Sequence, residues 1–249
     1  MRWTVASGEH YERNLTETLR RLVTLMSGPV IYDVGASYGF YTLSFAGQAR
    51  WVYAFEPVSG TFEVLVRNVE RNRLVNATAF KRALSDEETE AQINLYSSSG
   101  TNSLVWALPA NHPAKLVGHE VVRVTTLDKI VAEERLLAPA IIKLDIEGAE
   151  LQALRGGRQV ISKTRPVLVL ESRDEPWFDS GYSRAALLQE VSDHDYVLAG
   201  LSKDYDDLEL HPVEDFDRVP IANIIGVPSE RTELLEGIGP WAVRVLQRL

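Results

Sequence analysis

Pro29-Val30-Ile31-Tyr32-Asp33-Val34-Gly35-Ala36-Ser37-Tyr38-Gly39-Phe40-Tyr41 reads as an apolar strand that runs into a glycine turn and then a helix. After that helix a second apolar run, Val52-Tyr53-Ala54-Phe55, ends in the carboxylate of Glu56 and then Pro57. In an open α/β sheet this puts Glu56 at the carboxyl edge of strand two, beside the glycine turn that follows strand one. Nucleotide-type sites hold a ribose diol there. Gly35 and Gly39 let a ligand approach the backbone closely, because no Cβ stands in the way.

The spacing Asp33-x-Gly35-x-x-x-Gly39 differs from the dinucleotide pattern G-x-G-x-x-G, whose second glycine admits a pyrophosphate. Asp33 also adds negative charge where that pyrophosphate would lie. A ligand with a cationic amino-acid part and an adenosine part suits the turn better, and S-adenosylmethionine is such a ligand.

Composition bounds the reading. With 249 residues and 45% hydrophobic content, the chain can form one α/β domain with an ample core. A formal net charge of −9, without runs of Lys or Arg, argues against nucleic-acid and membrane-surface partners. There is no cysteine, which excludes disulfides, thiolate metal sites and cysteine nucleophiles. Met1 to His10 lacks the apolar stretch of a signal peptide, and no run of ~18 apolar residues marks a membrane span. A cytoplasmic protein is expected.

Tyr11 to Met26 reads as a helix, with Leu15, Leu19, Leu22, Val23 and Met26 at helical spacing and Ser27-Gly28-Pro29 as its stop. We read residues 1–28 as an N-terminal helical extension and 29–249 as the domain proper. Helices at 38–46 and 61–72 alternate with strands at 51–55 and 77–81, and Ala83-Leu84-Ser85-Asp86 is the turn that ends strand three. Residues 91–96 and 121–125 alternate as an antiparallel pair inserted into the α/β core. Between them, 97–119 is rich in Ser, Gly, Asn and Pro and is the candidate mobile loop, with Leu104, Val105 and Trp106 available to cover a site. Ala140–Asp145 is strand four, 149–160 its helix and Pro166–Glu171 strand five. A helix near 183–192 and strands at 196–201 and 222–228 complete the sheet. Strands alternating with helices imply a parallel sheet covered on both faces.

Four blocks together resemble the FkbM-type S-adenosylmethionine-dependent methyltransferases. They are Tyr32-Asp33-Val34-Gly35-Ala36 with Gly39, Ala54-Phe55-Glu56-Pro57 with Asn68-Val69-Glu70-Arg71-Asn72, Ala83-Leu84-Ser85-Asp86, and Ile142-Lys143-Leu144-Asp145-Ile146-Glu147-Gly148-Ala149-Glu150 with Leu154-Arg155-Gly156-Gly157. The last block is the most specific, and Ala222-Asn223-Ile224-Ile225 adds a weaker echo. Ser37-Tyr38 stands where relatives more often carry Asn and an aliphatic residue, a departure that alters side-chain contacts and leaves the glycines in place. The resemblance implies an α/β, doubly wound, Rossmann-like seven-stranded class I methyltransferase sheet. One antiparallel strand lies near its carboxyl-terminal edge, and a small β-hairpin is inserted. It implies S-adenosyl-L-methionine as cofactor, bound by Asp33, Gly35, Ala36, Ser37, Tyr38, Gly39, Glu56, Pro57, Leu84, Ser85, Asp86 and Asp145. The implied reaction is O-methylation of a hydroxyl on a small molecule, sugar or natural product.

The residues themselves carry matching chemistry. Asp33 suits an ammonium, Glu56 two hydrogen bonds from a ribose diol, and Asp86 an adenine amino group with Leu84 on the ring face. Side chains alternate along a strand, so Lys143 and Asp145 share one face of a strand that is otherwise apolar. Glu147 follows one residue past that strand, and Gly148 lets the chain turn; Glu147 and Glu150 also suit the N-terminus of the next helix. Glu171 ends strand five, next to strand four. Lys143, Asp145, Glu147 and Glu171 are therefore the candidate catalytic residues: the carboxylates as bases, the lysine to stabilise a developing alkoxide. Oxygen ligands from two adjacent strand ends, Asp145 and Glu171, would suit a shared Mg2+ ion, although no metal is expected.

The five histidines, His10, His112, His119, His194 and His211, show no ligand spacing. Two other classes keep part of this pattern. A nicotinamide oxidoreductase would share the fold but lacks its glycine fingerprint here. A non-catalytic cofactor-binding module would have no use for the charged block from Lys143 to Glu147. No motif identifies the acceptor, and a homo-oligomer is compatible with the sequence.

Overall fold

The computed structural model describes residues 12–98, 102–104, 108, 112–172, 181–202, 210–216 and 218–238. In chain order the first elements are α1 (Arg13–Leu25), β1 (Val30–Val34), α2 (Phe40–Phe45), β2 (Trp51–Phe55), α3 (Ser59–Arg71), β3 (Ala77–Phe80), β4 (Ala83–Leu84), β5 (Thr89–Tyr96) and β6 (Leu116–Thr125). They are followed by α4 (Leu127–Glu133), β7 (Ile141–Leu144), α5 (Glu150–Arg155), α6 (Arg158–Thr164) and β8 (Val167–Glu171). The last are α7 (Arg184–Ser192), β9 (Tyr196–Ser202), β10 (Leu210–Pro212), β11 (Ile221–Pro228) and α8 (Glu233–Ile238).

The main sheet has the order β10-β9-β11-β8-β7-β1-β2-β3. Strands β1, β2, β3, β7 and β8 are mutually parallel, and β11 runs antiparallel between β8 and β9. The strand order reverses direction at β1, between β2 and β7. In open α/β sheets a ligand crevice forms at such a point, outside the carboxyl ends of the strands.

Strands β1, β7 and β8 are apolar because both of their faces are covered. On one face Tyr32, Phe55, Ile142, Leu144, Leu168 and Leu170 pack with Leu127 and Ile130 of α4, Leu151 and Leu154 of α5, and Leu187 of α7. On the other, Ile31, Val52, Ile141, Val167 and Val169 meet Leu15, Leu19 and Leu22 of α1, Tyr41 and Phe45 of α2, and Leu234 and Leu235 of α8. Each fully buried aliphatic side chain contributes roughly 1.5–3 kcal/mol. Helix α1 is thus part of the core, and its Asn14 side chain donates to the Ser202 carbonyl of β9 at 2.7 Å.

The structure corrects three expectations. The sheet has eight strands where seven were expected, because β10 adds antiparallel to β9; Leu210-His211-Pro212 is too short to show an alternation. The helix expected over 149–160 is two helices, broken at Gly156-Gly157. Gly156 passes so close to the chain at Ser85 that a Cβ would lie 1.9 Å from that carbonyl oxygen. The Asp128 carboxylate then accepts from the backbone N–H groups of Gln159 and Val160, which restarts the helix. Finally, Ala83-Leu84 does not simply close strand three. It forms β4, which joins the inserted pair β5–β6 in a three-stranded sheet of order β4-β6-β5. Of the loop residues singled out, Leu104 packs with the apolar cluster of that small sheet, while Val105 and Trp106 lie outside the described residues.

Candidate active site

The glycine turn folds back on strand β2. The backbone N–H groups of Gly35 and Ala36 both donate to the Phe55 carbonyl at 3.0 Å, and the Ser37 N–H donates to Glu56 Oε2 at 2.9 Å. Gly35 and Gly39 have φ of +79° and +90°, and Ser37 is also left-handed at +48°. Glu56 is buried and accepts further bonds from the Val58 N–H and the Thr61 hydroxyl, both on Oε1. Three donors leave one open acceptor direction, on Oε2. Burial pushes the Glu56 carboxyl above the usual glutamate range, against the downward pull of Thr61, Val58 and Ser37; nearby Asp33 adds to the rise.

Asp33 faces inward. It is 1% exposed, and its Oδ2 accepts from the Thr42 N–H at 3.0 Å and the Thr42 hydroxyl at 2.7 Å, at the start of α2. Its Oδ1 lies 3.8 Å from Lys143 Nζ, which is itself 3.0 Å from Asp145 Oδ2. Lys143 is 3% exposed and also sits 4.7 Å from the centroid of the Tyr41 ring. The Tyr41 hydroxyl in turn donates to Glu12 Oε2 at 2.5 Å. Burial opposes the charge on Lys143, but Asp145 and Asp33 outweigh it and hold the ammonium more firmly protonated than an ordinary lysine. So Lys143 is a caged cation that steadies two carboxylates.

Beyond β7 the chain makes a tight turn. Gly35 lies against it so closely that a Cβ there would be 1.8 Å from the Asp145 carbonyl oxygen. Glu147 takes φ of +56° and Gly148 +96°. A left-handed backbone costs a non-glycine residue roughly 1–3 kcal/mol, and such strain collects at functional sites. Glu150 supports the turn from the first residue of α5: its Oε1 accepts from the N–H groups of Ile146 at 3.0 Å and Gly148 at 3.3 Å. Its Oε2 accepts from the Tyr182 hydroxyl at 2.8 Å. Burial pushes both Glu150 and Tyr182 above their ordinary ranges, and for Tyr182 the Glu150 carboxyl adds to the rise. The Ser103 hydroxyl, from the inserted sheet, donates to the Glu147 carbonyl at 2.8 Å.

The turn gathers the candidate bases. Oxygens of Asp145, Glu147 and Glu171 lie within 4.8 Å of one another, with Asp145 and Glu171 partly open and Glu147 buried. The sequence placed Asp145 and Glu171 together from adjacent strands, and the geometry adds Glu147. Of the expected adenine contacts, Leu84 is buried in the core and Asp86 is exposed, with the Ser85 hydroxyl 3.2 Å from its Oδ1. Tyr38 is 43% exposed at the mouth of the turn. Sequence reasoning missed Glu12, Tyr41, Thr42, Thr61, Ser103 and Tyr182. Thr61, near a helix start just after Glu56, carried a readable signal; the others reach their partners only through the fold.

The donor set discriminates between ligands. The amides of Gly35, Ala36, Ser37 and Thr42 are engaged by the chain's own acceptors, so this turn does not present them to a pyrophosphate. The carboxylates at this edge of the sheet are the buried Glu56, with one acceptor direction left on Oε2, and the partly exposed Asp145, whose side chain is 24% accessible. These groups fit a ligand that brings hydroxyl and ammonium donors, as S-adenosylmethionine does. No helix among the described residues is long and apolar enough to cross a membrane.

A doubly wound, mostly parallel α/β sheet with an antiparallel strand near its carboxyl-terminal edge is the architecture of class I methyltransferases. The family described as the Methyltransferase FkbM domain matches residues 33–198, well over half of the chain, and the chain belongs to that family. It is 32% identical over 142 residues to Methyltransferase 1 of Beauveria bassiana, covering 51% of this chain and 57% of that one. It is 27% identical over 143 residues to the hexuronic acid methyltransferase AglP of Haloferax volcanii, covering 56% and 54%. With the 31-O-demethyl-FK506 methyltransferase FkbM of Streptomyces tacrolimicus it shares 28% over 165 residues, covering 55% and 63%. The matched segments thus span between 54% and 63% of these relatives. Among solved structures, a methyltransferase FkbM from Methylobacillus flagellatus KT superposes with a TM-score of 0.52 at 19% identity, over 80% of this chain and 44% of that one. That likeness is one of fold.

Proposed function

We propose that this protein transfers the methyl group of S-adenosylmethionine to a hydroxyl oxygen of a small molecule or sugar. The observation that carries the reading is the group of Asp145, Glu147 and Glu171 oxygens within 4.8 Å, at the edge of the sheet that also presents Glu56. When bound, the cofactor supplies an electrophilic methyl on a sulfonium. Glu56 accepts from the ribose, and Asp145, held by Lys143, lies toward the ammonium. Glu147 takes the proton from the acceptor hydroxyl as its oxygen forms the new C–O bond and the S–C bond breaks. Asp145 and Glu171 orient the acceptor. Positioning of this kind supplies roughly 7–11 kcal/mol of a transfer barrier.

The names of two relatives support the acceptor class, one a hexuronic acid methyltransferase and one acting on 31-O-demethyl-FK506. The engaged amides of the glycine turn weigh against a nicotinamide dinucleotide. The test is calorimetry with S-adenosylhomocysteine and with NAD, followed by labelled-methyl transfer to a panel of methyl hexosides, methyl hexuronides and polyketide alcohols. Binding of NAD and not of S-adenosylhomocysteine would overturn the reading.

A further inference from the structure

The peptide unit between Glu147 and Gly148 is held at both ends by groups from different parts of the fold. Its carbonyl accepts from the Ser103 hydroxyl at 2.8 Å, and its N–H donates to Glu150 Oε1 at 3.3 Å. A peptide is planar, so fixing both ends fixes the orientation of the plane. That plane joins two left-handed residues, Glu147 at +56° and Gly148 at +96°. Ser103 is itself firmly presented. It is 1% exposed and pairs with β5 through Asn94 N–H to Ser103 carbonyl at 2.9 Å and Ser103 N–H to Asn94 carbonyl at 3.3 Å. The same inserted sheet is anchored a second time, where Glu120 of β6 accepts from the Ser59 N–H at the start of α3.

We propose that Ser103 is a positioning residue: its hydroxyl holds the Glu147–Gly148 peptide in the orientation that aims the Glu147 carboxylate at the acceptor hydroxyl. The inserted sheet is then a working part of the active site. This inference rests on the assignment of Glu147 as base. Without the hydroxyl the carbonyl end is released, the peptide plane rotates, and the Gly148 N–H leaves Glu150. A packing role alone would not single out that amide.

The experiment is single-amide hydrogen exchange on the full chain saturated with S-adenosylhomocysteine, comparing wild type with Ser103→Ala, Ser103→Cys and Ser103→Thr. Cysteine keeps the volume with a weaker donor, and threonine keeps the hydroxyl. Loss of one such bond should speed exchange at Gly148 about five- to tenfold in the alanine and cysteine variants. Amides of β1 and α1 and the affinity for S-adenosylhomocysteine should stay at wild-type values, and threonine should restore protection. In the methyl-transfer assay, turnover should fall with the same pattern at unchanged KM for S-adenosylmethionine. Wild-type exchange at Gly148 in both the alanine and cysteine variants overturns the inference while leaving Glu147 as base. Full turnover in Glu147→Gln removes the base assignment on which the aiming role rests, whatever the exchange rates.

Discussion

Asp33 and Lys143 face one another in register on the adjacent parallel strands β1 and β7, with 3.8 Å between Oδ1 and Nζ. Both are almost wholly buried, and Asp145, two residues along from Lys143, completes the group. A lone charge at this depth would be costly, so each of the three depends on the others.

Lys143→Met should therefore cost about 3–5 kcal/mol, since it leaves Asp33 and Asp145 without their cation. Urea unfolding measures this. Because the Lys143 ammonium is held above the ordinary lysine range, its contribution is complete below the unfolded value and fades only as pH rises through the raised one. The double variant Asp33→Asn/Lys143→Met should lose less than the sum of the singles; strict additivity would mean that the pair is not coupled.

Glu56 gives a pH-dependent prediction. Protonation removes acceptor capacity, so affinity for S-adenosylhomocysteine should fall on acidification, beginning above the usual glutamate range. Glu56→Ala should lose about 1.5–3 kcal/mol of binding. Stability moves the opposite way. A carboxyl raised in the folded state binds its proton more tightly there, so its contribution is greatest below the unfolded value and is lost as pH rises through the folded one. Calorimetry across pH checks both, and a folded Glu56→Ala protein with wild-type affinity would remove Glu56 from the site.

At Glu147 stability and activity should separate. Glu147→Gly relieves a left-handed backbone and a buried carboxyl, so its melting temperature should hold or rise. Turnover should nonetheless fall by about 10²–10⁴, as it should in Glu147→Gln. Retained turnover in either variant would shift the base to Asp145 or Glu171. EDTA should leave activity unchanged, because Lys143 already balances Asp145; restoration by Mg2+ after an EDTA loss would reassign the cluster as a metal site.

Gly35→Ala should fail for two separate reasons, a φ of +79° and a Cβ placed 1.8 Å from the Asp145 carbonyl oxygen. The loss should exceed about 1 kcal/mol, with cofactor affinity falling because the glycine turn and the 145–148 turn must move apart. An alanine variant that melts and binds like wild type would show that the two turns are not packed as described.

The local pattern alone was enough to read the parallel sheet, because β1, β7 and β8 are short apolar runs spaced by helices and ended by glycine or a charge. Alternation along β7 was likewise enough to put Lys143 and Asp145 on one face. Local pattern could not say that the Asp33 side chain meets Thr42 and Lys143, since that follows from strand register and the docking of α2. Nor could it reveal the helix break at Gly156, which exists because the distant Ser85 backbone occupies the space a side chain would need. Ser103 shows the limit most clearly. Nothing in Thr101-Asn102-Ser103-Leu104 announces a role, and the Ser103 hydroxyl meets the Glu147 carbonyl across a separation of 44 residues only because the inserted sheet docks against the turn after β7. Periodicity and turn chemistry are properties of neighbouring residues and so are written in the sequence. Contacts between distant segments are fixed by packing, and only the tertiary structure decides them.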